Sequence, residues 1–255
     1  MNKVFKYVFA DILRNKVVIG YTAVLLLISV SVFSLENNAE KGILTLLNLI
    51  LFIVPLVSVI FSTIYVYNSS EFIELLVSQP LQRGRIWMSL FAGLAVSLIC
   101  AFFIGIGIPL LLFYPEANGL YLIACGLFLS VIFVAIAMMA GVYTRDKAKG
   151  IGLSILLWIY FAILFDGLVL YLLFQFSDYP LERPMVFLSF LNPIDLCRVT
   201  MLLKLDISAL MGYTGAVFKD YFGTNLGLLL TLLTMILWVV IPFGISYSKF
   251  KSKDL

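Results

Sequence analysis

Asp166 sits within the apolar run YFAILFDGLVLYL and is the one ionisable residue well inside such a run. A charge near mid-bilayer is costly, so it must face a partner or water. Two chemistries remain open for it: a proton or cation site, or a polar latch holding one helix to another. A single intramembrane Asp cannot act as an aspartyl protease, which needs two carboxyls sharing one proton. The chain has no histidine, which removes Ser–His catalysis, HExxH zinc sites and imidazole ligands. Cys197 and Met201 stand four residues apart and could share a helix face, with Met185 and Met211 near in sequence. Thiolate and thioether suit Cu(I), but Met and free Cys ordinarily fill apolar cores, so no metal ligand is assigned. GxxxxGK[ST] occurs nowhere, so this chain offers ATP phosphates no cradle and is not expected to be an enzyme.

A second constellation suits docking. In residues 68–86 (NSSEFIELLVSQPLQRGRI), Ser69 or Ser70 can cap a helix whose first turn carries Glu71. Spacing puts Phe72, Leu75 and Leu76 on one face and Glu71, Glu74 and Ser78 on another. Pro80 ends the run, with Gln79 before it, and Arg83 and Arg85 follow. The segment is either a short helix offering carboxylates to a partner or a solvated turn. Arg145, Asp146 and Lys147 open a compact polar turn (RDKAKG) that means little alone.

The elements that position these residues follow from composition. Of 255 residues, 63% are apolar and 12% charged, a balance outside the range of soluble domains. Apolar runs predict six transmembrane helices near 17–35, 43–67, 87–113, 119–143, 151–176 and 224–247, an all-α integral membrane fold in one domain, 1–255. Gly105, Gly107 and Pro109 predict a break or kink late in the third, with a neighbouring helix satisfying the freed carbonyl. The first run lacks a small-residue cleavage site and reads as an uncleaved helix. Twelve of the 17 basic residues fall on the N-terminal side, so the positive-inside rule places both termini in the cytoplasm. The net charge of +3 is a by-product of that topology and implies no nucleic acid.

Two flanking segments complete the layout. Residues 3–16 bring Val4, Tyr7, Val8 and Ile12 together beside Lys3, Lys6 and Arg14, the pattern of a basic amphipathic helix on the bilayer surface. Residues 177–223 form a long outer segment that is largely apolar, which predicts short half-buried helices dipping among the spans. None of the cysteines at 100, 125 and 197 is placed to pair within the chain.

In order and motif the chain resembles the type-2 ABC transporter permeases. Their E…LL…P-x-x-R coupling helix after the second span is matched by Glu71, Glu74, Gln79, Pro80 and Arg83. The outer stretch LNPIDLCRVTMLLKLDISALMGYTGAVFKDYFG and the FD at 165–166 look like the NosY-like branch, which serves copper-centre maturation of nitrous-oxide reductase. The resemblance implies ATPase contacts at Glu71, Phe72, Glu74, Leu75, Gln79, Pro80 and Arg83, with a second inner contact at Arg145–Lys147. It implies an outer partner surface at Asn192, Pro193, Asp195, Arg198, Lys204, Asp206 and Lys219. The implied assembly is a homodimer in a bacterial inner membrane, with a NosF-like cytoplasmic ATPase carrying ATP and Mg and a NosD-like periplasmic protein. This chain itself would hold no cofactor. An exporter of a small molecule, lipid or sulfur species, and an ion-coupled carrier using Asp166, are the alternatives.

Overall fold

Ten helices can be traced in the computed structural model, which describes residues 2–36, 38–79, 81–176, 182–205 and 225–252; every regular element among them is helical. They are α1 (Asn2–Leu13), α2 (Lys16–Leu35), α3 (Ala39–Asn68), α4 (Ser70–Val77) and α5 (Arg83–Phe113). Then come α6 (Ala117–Tyr143), α7 (Lys147–Gln175), α8 (Glu182–Phe190), α9 (Pro193–Lys204) and α10 (Asn225–Ser252). Four starts carry polar caps: Asn15, Asn38, Asp146 and Asn192 each accept an amide of the following turn. Six helices (α2, α3, α5, α6, α7 and α10) are long and apolar enough to cross a membrane, one for each predicted run.

Burial ranks the six. In α6, 72% of the most apolar stretch is buried, because α3, α5, α7, α9 and α10 all lie against it. Gly126 of α6 makes room for the Phe102 ring of α5, which a Cβ would overlap. By contrast α2 and α7 bury 22% and α10 only 17%, leaving broad apolar faces. The first helix, α1, is fastened to α5: Val8 and Ile12 are fully buried, and Val8 sits over Gly93. Tyr7 departs from the expected apolar face, being more than half exposed with its ring against Phe72 of α4 at 5.1 Å.

The third span does not break. A π-helical turn at Phe103–Gly107 absorbs the irregularity and α5 continues to Phe113. Pro109 has no N–H for the carbonyl of Gly105 four residues back, and Ser29 of α2 donates its hydroxyl there at 2.9 Å. A second π-helical turn, Tyr160–Leu164, lies in α7. There the carbonyl of Phe161 accepts the Asn192 side-chain amide at 2.8 Å. Such turns concentrate at functional sites.

The two ends of the bundle differ. One gathers α1, α4, the start of α5, the α6–α7 turn and the end of α10, where Trp87 stacks on Phe250 at 4.2 Å. The far end holds α8 and α9, bent by 115° at Leu191–Asn192. Both α7 and α10 reach that far end, where α8 and α9 form a sharply bent helical hairpin.

Candidate functional site

At the N-terminal end, α4 is a wedge with an open outer side. Ile73 and Leu76 are buried and Phe72 half-buried, whereas Leu75 is 65% exposed. This corrects the expected grouping of Leu75 with Phe72 and Leu76. The exposed stripe is Glu71, Glu74, Leu75 and Ser78, at helical spacing i, i+3, i+4, i+7, with exposed Gln79 just beyond. Ser69 takes the N-cap position but makes no side-chain cap bond. Arg83 opens α5 and is half-buried; Pro80 lies outside the described residues.

The α6–α7 turn meets this wedge. Glu74 and Arg145 line one cavity of about 350 Å³, with Ser70, Tyr67, Trp87 and Phe250 among its walls. Asp146 caps α7 by accepting the Lys149 amide at 3.0 Å. Lys147 donates to the Asn68 side chain at 2.7 Å, fixing the turn to the end of α3. Tyr67 bonds Thr144 and fills the space beside Gly150, where a Cβ would collide with its hydroxyl. The two segments that the resemblance marked as inner contacts therefore border one cavity.

At the far end, Asp166 is not alone. Arg198 of α9 donates to its carboxylate at 2.6 Å, and the carboxylate of Asp195 lies 3.5 Å from the same guanidinium. The partner comes from the outer segment and not from another span, which is why a search for intramembrane charges missed it. Burial pushes Asp195 up to about 6, against the pull of Arg198, while the charge of Asp166 pushes the same way as burial. The hairpin is fastened twice more. Asn192 holds Phe161 of α7 and also caps α9 through the Ile194 amide at 3.0 Å. Trp238 of α10 donates to the carbonyl of Phe190 at 3.1 Å. Asn192 and Pro193 are buried, so they are clamp residues with no outward surface. Asp195, Arg198 and Lys204 are half-buried, while Asp206 and Lys219 lie outside the described residues.

The sulfur pair reads as core. Cys197 and Met201 are fully buried, the Cys197 thiol lying 3.9 Å from the carbonyl of Cys125 on α6. No cluster of three or more His, Cys, Asp or Glu able to hold a metal occurs among the described residues.

Residues 3–255, the whole of this arrangement, match the family model described as ABC-2 family transporter protein. The chain belongs to the ABC-2 transporter family. It is thus a membrane component of ABC transport, a family whose ATPase resides in a partner. Similar to this ABC-2 permease is a Pseudomonas aeruginosa protein named probable ABC transporter permease protein NosY, 27% identical over 80% of this chain and 82% of that one. A protein of the same name from Stutzerimonas stutzeri is 25% identical over 96% and 95% of the two chains.

Sequence reasoning missed Ser29, Asn192 and Trp238 as fasteners. Asn192-Pro193 carried a readable cap signature, with Pro at the first helical position. Nothing local marked Ser29, whose role depends on the packing of α2 against α5.

Proposed function

We propose that this permease relays the stroke of a cytoplasmic ATPase, gripping α4, to a periplasmic protein resting on the α8–α9 hairpin. The observation that carries the reading is the exposed Glu71–Glu74–Leu75–Ser78 stripe on a wedge whose other side is locked into the bundle. A Leu left open between two carboxylates suits a protein groove better than water. In this reading α4 is the coupling helix and α1 lies at the bilayer surface. Both termini are in the cytoplasm of a bacterium whose inner membrane holds a homodimer of the chain. The outer hairpin is bonded to α7 at Asp166 and Phe161 and to α10 at Trp238, so tilting of those helices carries it along as a rigid body. In this reading the hairpin event serves copper-centre maturation of nitrous-oxide reductase, with NosF-like and NosD-like partners, as the resemblance to the NosY-like branch implies; two relatives named NosY support it.

A second reading is an exporter of an apolar species. A cavity of about 520 Å³ between α6, α9 and α10, lined by Cys125, Phe128, Leu229, Leu232 and Met235, favours it. Stimulation of the ATPase by an apolar compound, with no periplasmic partner present, would support the exporter. The ion-coupled carrier is disfavoured because Arg198 already neutralises Asp166.

Glu71→Lys with Glu74→Lys tests the docking. The ATPase should no longer co-purify, while the permease retains its melting temperature. Unchanged stoichiometry would show that the ATPase docks elsewhere.

A further inference from the structure

A basic cavity of about 430 Å³ opens at the N-terminal end, apart from the α4 stripe. Gln82, Arg83 and Gly84 line it from the start of α5, and Tyr247 and Lys251 from the last turns of α10. Among the described residues, its lining carries two cations, Arg83 and Lys251, and no carboxylate. Its walls are fixed: Trp87 donates to Ser246 at 2.9 Å and stacks on Phe250, and Phe91 stacks on Phe243 at 4.3 Å. The Lys251 ammonium lies 5.5 Å from the Tyr247 ring centre. Gly84 is needed for this shape, because the Tyr247 hydroxyl occupies the space its Cβ would fill. That places a phenol oxygen against the first turn of a long helix, whose N-terminus adds partial positive charge.

Two cations, a phenol, an amide side chain and a helix start are together the chemistry of a phosphate site. Depth on the helix points to its source. The 31 residues of α5 measure about 46 Å, against about 30 Å of hydrocarbon, so its first turns reach the headgroup layer. Just further along the same helices Met88 and Ile245 are exposed, an apolar continuation suited to acyl chains. Basic pockets between transmembrane helices are a known form of headgroup site.

We propose that this cavity binds the phosphate of an anionic phospholipid from the leaflet on the N-terminal side. Gln82 belongs to the link joining α4 to α5, so a bound headgroup braces the docking helix from behind.

The test uses the delipidated full-length chain and native mass spectrometry, with phosphatidylglycerol, phosphatidylcholine and inorganic phosphate as probes. Wild type should retain phosphatidylglycerol about tenfold over phosphatidylcholine, and Lys251→Glu should lose that preference. Lys251→Arg should keep most of it, and Tyr247→Phe should weaken it. Equal retention by wild type and Lys251→Glu, or saturation by inorganic phosphate without any lipid preference, would overturn the proposal. Melting temperatures in phosphatidylcholine nanodiscs verify folding, and Tyr247→Phe carries the test if Lys251→Glu fails to fold. The readout involves no ATPase or nucleotide, so its outcome is separable from that of the docking experiment.

Discussion

The Arg198 guanidinium is the most consequential side chain of the far end, because it serves two carboxylates from two elements. Removing it strands Asp166 inside a span. The pair is about a third exposed, so Arg198→Ala should cost about 1–2 kcal/mol, between the values for surface and buried pairs, measured by unfolding in nanodiscs. Asp166→Asn combined with Arg198→Gln should recover most of the loss, a double-mutant cycle that separates pairing from packing. Asn192→Ala removes both a cap and the Phe161 bond, for an expected loss of about 2 kcal/mol. The pH dependence of Asp195 has a definite sign. Its folded pKa is raised to about 6, so its contribution is full below about 4 and declines as pH rises through 6. Asp195→Asn should flatten the melting-temperature profile between pH 4 and 7, relative to wild type. A difference curve that stays level across this window would contradict the raised value. Asp166 itself was legible as an anomaly, but its partner was not. The pair joins residues 32 positions apart, and only the folding back of α9 brings them together.

At the scale of elements, α4 shows how far periodicity can be read. Its acids and its place after the second span were legible, because charge and turn residues interrupt the apolar runs there, while helix and solvated turn both stayed open for it. Its buried face was misjudged, since an eight-residue helix has room for Ile73–Leu76 or Phe72–Leu75 to face inward, and tertiary packing decides. Leu75→Asp should consequently leave the permease fold intact and weaken ATPase capture in a pull-down. Leu76→Asp should instead destabilise the bundle, which would appear as poor recovery from detergent. If both behave alike, the wedge is oriented differently. The irregularity expected in α5 takes the form of a π-helical turn, and the neighbour expected to satisfy the freed carbonyl is α2, through Ser29. Ser29→Ala should cost about 1 kcal/mol.

For the whole molecule, six apolar runs made the span count legible. The hairpin was legible as short half-buried helices in an apolar segment outside the spans, but its bend and its anchors were not. Long-range bonds set its geometry: Arg198 to Asp166, Asn192 to Phe161 and Trp238 to Phe190. These bonds tie the hairpin to α7 and α10, two of the least buried helices. The central claim, that force enters at α4 and leaves at α8–α9, is tested most directly by the distance between spin labels at Leu35 and Leu191. Both residues are exposed at the far end, on α2 and at the hairpin corner. In the assembled complex, the distribution should shift when ATP is added and should not shift in the Glu71→Lys, Glu74→Lys variant. An identical distribution with and without nucleotide, in a complex that is actively hydrolysing ATP, would contradict the relay.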